Sequence, residues 1–284
     1  MTTITTLLAT GEPLVGPGVW DALSARLAAD AGFRAVFVSG YCLSATRLGA
    51  PDVGLISQTE VLDAAMRICA AVDVPVIVDI DTGYGDEHNV ERTVRELVRI
   101  GAAGCFLEDQ VWPKRCGHMD GKRVVPTDEY LTKLRAALTA RGSAPLFVTA
   151  RTDARAVLGL DEAIARARAF AEAGADAVFV EAPESIDEMD RVRAAVPAGV
   201  PLVANMVEDG KTPLRTTQEL AAAGYAIIVF PLSALLASTR AMQRALEAVR
   251  TDGTSASRRD DMLGFGDMNA LLGLGNPRRR EPGS

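Results

Sequence analysis

Eight short apolar runs recur along the chain, and helical patterns alternate with them. The runs are 14–18 (LVGPG), 35–40 (AVFVSG), 74–81 (VPVIVDID), 104–109 (GCFLED), 146–153 (LFVTARTD), 177–182 (AVFVEA), 201–206 (PLVANM) and 226–231 (AIIVFP). Strands that are apolar on both faces belong to parallel sheets covered by helices. Helical spacing appears at 21–31, 60–71, 89–100, 127–140, 161–173, 185–195, 216–223 and 233–249. Residues 41–58 read as loop, and Thr127-Asp128-Glu129 reads as a helix cap. Eight βα units in about 240 residues, with no linker, predict an α/β fold of the (β/α)8 TIM-barrel type. An open doubly wound sheet is the alternative. It would carry a Gly-rich fingerprint after the first strand, and GPGVWDAL matches that poorly. The barrel is assigned to 1–250. Residues 251–284 form a C-terminal extension, with one short helix in DMLGFGDMNALLGLG and a basic, mobile tail NPRRREPGS.

Hydrophobic residues make up 48% of the chain and charged residues 24%, which suits a soluble globular protein. The net charge of −7 gives no reason to expect nucleic acid or an acidic membrane surface as partner. An anionic substrate stays open, because a bound metal and a few arginines reverse the local field. No apolar run is long enough to cross a membrane. The N-terminus MTTITTLLATGEP lacks the basic region and long apolar core of a secretory signal. The cysteines, Cys42, Cys69, Cys105 and Cys116, fit no zinc-binding spacing. Cys69 and Cys105 lie in apolar periodic segments and read as core thiols. A reducing cytoplasm is the simplest compartment.

Barrel enzymes carry their chemistry at the C-terminal ends of the strands. Those ends hold Ser39 and Gly40, Asp79 and Asp81, Glu108 and Asp109, Arg151 and Asp153, Glu181, and Asn205. A polar residue at one strand end is as readily a solvent-facing terminus. Polar residues at six of eight ends, converging on one rim, point to a site. Asp79 and Asp81 are two apart, which on a strand puts both side chains on one face. Two adjacent carboxylates repel unless a divalent cation neutralises them. Mg2+ is the default for such an oxygen set and Mn2+ fits as well, with Glu108 joining directly or through water. Arg151 can grip a carboxylate with two parallel hydrogen bonds. Backbone N–H groups around Ser39, Gly40 and Tyr41 suit another anionic group. The polar loop 110–126 reads as a lid with Gly117 and Gly121 as hinges. On it Cys116 lies beside Lys114, Arg115 and His118, whose charges are expected to lower its pKa. The bland alternative is a chance surface cysteine. Lys114, Cys116, His118 and Arg151 are thus the candidate catalytic group, whereas His88 reads as a solvated helix-start residue.

The segments SGYCLSATRLGAPDVG, VDIDTGYG, FLEDQVWPKRCGH, ARTDA, FVEAP and ANMVEDGKTPL occur in the order found in the isocitrate lyase/phosphoenolpyruvate mutase superfamily. The chain resembles that superfamily over about residues 12–250, most of all its 2-alkylmalate lyases, and it is also similar to the 2-methylisocitrate lyases and to a carboxyphosphonoenolpyruvate mutase type. The resemblance implies that Asp79, Asp81 and Glu108 hold Mg2+, with Asp52 close by. It implies that Ser39, Gly40, Tyr41, Gly117, Arg151, Glu181, Asn205 and Pro231 contact or line the substrate, a small dicarboxylate. Cys116 would be the acid of a C–C bond lyase that yields a 2-keto acid and a carboxylate. A swapped C-terminal helix and a homotetramer, a dimer of dimers, are implied too. C–P bond chemistry on the same scaffold is the enzymatic rival, because one mutase type also carries KRCGH. A non-catalytic barrel is the other rival, though it would be expected to have lost metal or acid positions. Oxaloacetate hydrolysis is disfavoured by Pro231, where Ser is typical. A tricarboxylate substrate is disfavoured by Val207, which offers no hydrogen bond to a third carboxylate.

Overall fold

The apolar runs become strands because each can bury both faces, one toward a barrel axis and one toward helices. The computed structural model describes residues 2–274; the basic tail at 276–284 lies outside them. The strands are β1 (Leu14–Val19), β2 (Val36–Val38), β3 (Val76–Asp79), β4 (Gly104–Glu108), β5 (Phe147–Thr152), β6 (Ala177–Val180), β7 (Val203–Asn205) and β8 (Ile227–Phe230). All pairings between them are parallel, in the order β6-β5-β4-β3-β2-β1-β8-β7. A parallel bridge from Val178 to Leu202 joins the β6 side to the β7 side and closes the barrel. The predicted (β/α)8 architecture is therefore the one observed.

Side chains alternate along each strand, so every second residue points to the axis. Leu14, Phe37, Ile77, Phe106, Phe147, Phe179, Val203, Ile227 and Val229 form one buried inner cluster, with Ile4 of α1 (Ile4–Leu8) in it. Phe106 is its centre: its ring lies 4.8 Å from Phe37 and 5.7 Å from Phe179. The alternate residues, among them Val36, Val38, Val76, Val78, Cys105, Leu107 and Val148, pack outward against the helices. β1 is the weak strand in sequence, and its Gly18 has a specific purpose. A side chain there would meet the carbonyl oxygen of Pro231 at 2.0 Å.

The helices covering the strands include α2 (Ala22–Asp30), α4 (Gln58–Cys69), α5 (Glu87–Arg99), α6 (Thr127–Arg141), α8 (Leu160–Glu172), α9 (Ile186–Ala195) and α10 (Thr217–Ala222). Two readings of the sequence need correction. Residues 41–58 are not simply loop: α3 (Gly40–Leu43) runs into a π-helical turn at Ser44–Leu48. Short polar and small residues hide this turn, because it carries no long apolar stripe. Nor does Thr127 cap α6; it is the first helical residue, preceded by Pro126. Asp128 and Glu129 still complement the helix dipole from the first turn. A short α7 (Ala154–Leu158) follows β5 directly.

The chain divides into two compact units, up to Leu235 and from Leu236. The second contains most of α11 (Ser233–Asp252) and a short α12 (Phe265–Leu271), inside the segment expected to form one short helix. Among the described residues no helix is long and apolar enough to cross a membrane. Replacing Phe106 by Ala should cost about 3–5 kcal/mol, because it empties the inner layer where three aromatic rings meet. The check is urea unfolding: the midpoint should fall with the slope unchanged.

Candidate active site

The alternation that builds the inner core also aims the site. Ser39 lies two residues beyond Phe37, Asp79 beyond Ile77, Glu108 beyond Phe106, and Arg151 four beyond Phe147. Glu181, Asn205 and Pro231 stand two beyond Phe179, Val203 and Val229. Seven strands thus raise one inward residue above the apolar layer, at the end where the strands finish. All of these residues but Glu108 line a concave site whose empty space, open solvent at its mouth included, is about 470 Å³. Its floor is Phe37, Phe106, Phe179 and Val229. Its polar wall holds Ser39, Tyr41, Asp52, Asp79, Lys114, Arg151, Glu181 and Asn205, and Val207, Pro231 and Leu232 make an apolar wall. Cys116, Gly117 and His118 cover it.

Asp109, one residue out of step, faces away from the axis. It accepts from Arg166 Nη1 of α8 at 2.9 Å and from Thr152 Oγ1 at 2.6 Å. It is therefore scaffold and not part of the rim set. Asp81 also departs from expectation. β3 ends at Asp79, and Asp81 has φ 49°, so the shared-face argument does not apply. The two carboxylates converge all the same. The space where Gly40 lacks a side chain lies 3.2 Å from Asp79 Oδ2 and 3.4 Å from Asp81 Oδ1. Asp81 and Glu108 do not line the open cavity but sit beside it, 1% and 2% exposed.

Negative charge is in excess here. Asp52, Asp79, Asp81, Glu108, Asp153 and Glu181 face the cations Lys114, Lys122 and Arg151. Lys114 Nζ lies 2.6 Å from Asp52 Oδ1 and 2.8 Å from Asp81 Oδ1. Even so, Asp81 Oδ2 and Glu108 Oε1 are buried without a hydrogen-bond partner. Burial pushes the Asp81 carboxyl up to about 7; Lys114 opposes this, and Asp79 and Asp52 add to it. Burial likewise raises Asp79 and holds Glu108 well above the carboxylate range, against Lys114 and Arg151. Orphaned, crowded carboxylate oxygens are what a hard divalent cation satisfies. Among the described residues no three acidic, His or Cys side chains converge closely enough to ligate one ion by themselves. An ion held here would have to take the rest of its coordination from water or substrate.

Arg151 is held in place. Its Nε and Nη2 donate to Asp153 at 3.0 and 3.1 Å, and its guanidinium stands 5.3 Å over the Phe179 ring. Its Nη1 reaches Glu108 and its Nη2 Glu181, each at 3.2 Å. Burial works against ionisation of Glu181, but Arg151, His118 and Lys122 outweigh it and hold the carboxyl well below the usual range. Asn205 Nδ2 donates to the same carboxylate at 3.2 Å. His118 Nδ1 accepts from the Lys211 backbone at 2.9 Å, which leaves the ring proton to Nε2, 3.2 Å from Glu181 Oε1.

The lid thiol reverses its expected chemistry. Burial pushes Cys116 up to about 11, with Asp52 adding, and the His118 backbone and Lys114 only partly offset it. Lys114 spends its charge on Asp52 and Asp81, His118 is engaged by Glu181, and Arg115 is exposed. Cys116 is half-buried, and this upward direction favours the thiol form, which suits it to giving a proton. Gly117 is a point of close approach: a side chain there would lie 2.5 Å from Glu181 Cγ and 2.6 Å from Arg151 Nη2. Asp153 is among the strand-end residues, whereas Lys122 and Tyr84 carry parts of this site without a strong sequence signal. The buried Tyr84 hydroxyl, which has no hydrogen-bond partner, is pushed well up by burial and by Asp81 and Asp79. Only the glycines flanking Tyr84 hint at its unusual backbone, φ 65°.

The chain is 48% identical over 274 residues to the petal death protein of Dianthus caryophyllus, covering 96% of this chain and 86% of the relative. It is 44% identical to the 2,3-dimethylmalate lyase of Eubacterium barkeri, covering 97% and 94%. The solved structure of phosphonopyruvate hydrolase with oxalate and Mg2+ superposes with a TM-score of 0.85, at 30% identity, covering 95% and 94%. The sequence profile of the phosphoenolpyruvate phosphomutase family matches residues 4–250. With its strand ends and lid disposed as described, the chain belongs to that family, within the isocitrate lyase/phosphoenolpyruvate mutase superfamily of enzymes.

Proposed function

We propose that the protein is a carbon–carbon lyase that cleaves a 2-hydroxy dicarboxylate of the 2-alkylmalate type into a 2-keto acid and a carboxylate. The observation that carries this is Cys116, a thiol kept protonated by burial and placed over a cavity with one charged and one apolar wall. Similarity to 2,3-dimethylmalate lyase over 97% of the chain supports the same reading.

Asp79, Asp81 and Glu108 would hold Mg2+, or Mn2+ in its place, directly or through water, with Asp52 nearby. The ion would supply a Lewis acid for the C2 oxygen and its carboxylate. Arg151, pinned by Asp153, binds substrate carboxylate in a fixed plane. Gly40 and Tyr41 bring first-turn amides of α3, which have no partner within the helix, and Ser39 is its N-cap. Gly117, Glu181 and Asn205 shape the polar side. Val207, Pro231 and Leu232 offer the 2-alkyl group an apolar surface and give a third carboxylate no donor. Loss of the C2 hydroxyl proton lets the C2–C3 bond break, and its electrons pass into the departing carboxylate fragment. Cys116 protonates that fragment at carbon, beneath a lid positioned by Lys114 and His118.

We further propose a homotetramer, a dimer of dimers with swapped C-terminal helices, in a reducing cytoplasm. Leu246, Leu263, Phe265 and Leu274 are exposed apolar residues of the C-terminal unit, with Phe265 85% exposed, which supports a covered face in the assembly. The four cysteines are all unpaired.

Purified protein with Mg2+ should turn over 2,3-dimethylmalate faster than 2-methylisocitrate, oxaloacetate or phosphonopyruvate. Preference for phosphonopyruvate would overturn the reading. Cys116→Ser should lower kcat by about 10²–10⁴-fold with KM little changed. Near-normal turnover would remove Cys116 from the chemistry. Because Asp81 holds a proton up to about pH 7 in the metal-free protein, binding the ion must release it. Mg2+ affinity should therefore weaken roughly tenfold per pH unit below 7. Calorimetric titration in two buffers of different ionisation enthalpy measures that proton release.

A further inference from the structure

The lid carries a second lysine that the chemistry above does not use. Lys122 belongs to a polar loop, yet its side chain is only 1% exposed. Its Nζ donates to the Gly117 carbonyl and lies 3.0 Å from Asp153 Oδ1. Asp153 is also the carboxylate that grips Arg151 through Nε and Nη2. One side chain thus joins the backbone next to Cys116 with the guanidinium that binds substrate.

Asp153 is anchored from behind. Its N–H donates to Asp109 Oδ1 at 2.8 Å, and Asp109 is held by Arg166 of α8. Arg166 also donates to the carbonyl of Val125, where the lid rejoins the barrel, at 2.8 Å. Burial works against ionisation of Asp153, and Arg151 and Lys122 together overcome it, so the carboxyl stays below its ordinary range. A buried ammonium is costly unless it is paired. A loop that needed only an anchor already has one in Gln110, which exchanges two hydrogen bonds with the Arg115 backbone. That clip touches neither Gly117 nor Arg151.

We propose that Lys122 is a positioning residue, a latch that couples closure of the Cys116 loop to the orientation of Arg151 through Asp153. With Lys122 seated, Asp153 has cations on both sides and Gly117 lies against Arg151 and Glu181. With Lys122 withdrawn, the lid loses its hold on the Gly117 carbonyl, and Asp153 holds Arg151 from one side only. Substrate carboxylate on Arg151 then favours the closed lid, and the closed lid favours the grip on substrate. The roles of Cys116 and Arg151 rest on the lyase reading, but the latch is testable without turnover.

The test is alkylation of Cys116 by iodoacetamide, followed by mass spectrometry of its peptide, with and without Mg2+ and oxalate. In the parent protein oxalate should slow labelling at least about tenfold by holding the lid shut. In Lys122→Met that protection should fall below about twofold, and Lys122→Arg should restore much of it. Asp153 keeps both bonds from Arg151 in the Met variant, which favours folding. Should it not fold, Lys122→Gln is read in the same way. In turnover, kcat should fall and KM rise in the Met variant, with rescue by Arg. A folded Lys122→Met protein that oxalate still protects fully overturns the latch, whatever its turnover. Lost protection in an enzyme that cleaves no alkylmalate upholds the latch and overturns the reaction proposed above.

Discussion

More negative charge is gathered at the mouth of this barrel than its own cations neutralise. Six carboxylates meet two lysines and one arginine where little water reaches. In such a place the charged form of an acid is strongly disfavoured unless paired. The consequences differ by position. Glu181 and Asp153, where Lys122 adds its charge to that of Arg151, stay ionised. Asp79, Asp81 and Glu108 are pushed the other way, with oxygens left over. The site is thereby divided into an ionised half that orients Arg151 and His118 and a frustrated half that suits a cation.

The same balance decides what the thiol can do. Cys116 lies in a run of basic residues, which in isolation favours thiolate. In the fold each neighbouring charge is engaged elsewhere or exposed, and burial together with Asp52 dominates. A nucleophile would need the opposite arrangement. In the lyase reading proposed above, a lid closed over the thiol would hold the proton donor in place and keep water from the departing fragment.

Much of this was legible beforehand. The eight apolar runs predicted the strands, because two buried faces demand such runs, and barrel geometry placed the chemistry at their ends. Ser39, Asp79, Glu108, Arg151, Glu181 and Asn205 are all brought to one rim. Asp52 had no local signal of its own and entered only through the resemblance. The distinction between Glu108 and Asp109 was present in the alternation, since Glu108 shares the parity of Phe106. Asp81 comes near Asp79 not through strand alternation but because the strand stops at Asp79 and Asp81 itself, in the left-handed region, turns the chain.

Sequence by itself determined the barrel, the parity of the inward residues and the excess of acids at their tips. These follow from local periodicity and from residue identity. Tertiary structure decided which charges meet: that Lys114 is occupied by Asp52 and Asp81, that Lys122 reaches Asp153, and that Cys116 keeps its proton. Pairing and burial depend on residues far apart in sequence: Lys114 and Asp52 are separated by 62 positions and His118 and Lys211 by 93. Solvation of a charge belongs to the folded surroundings, not to the segment that carries it.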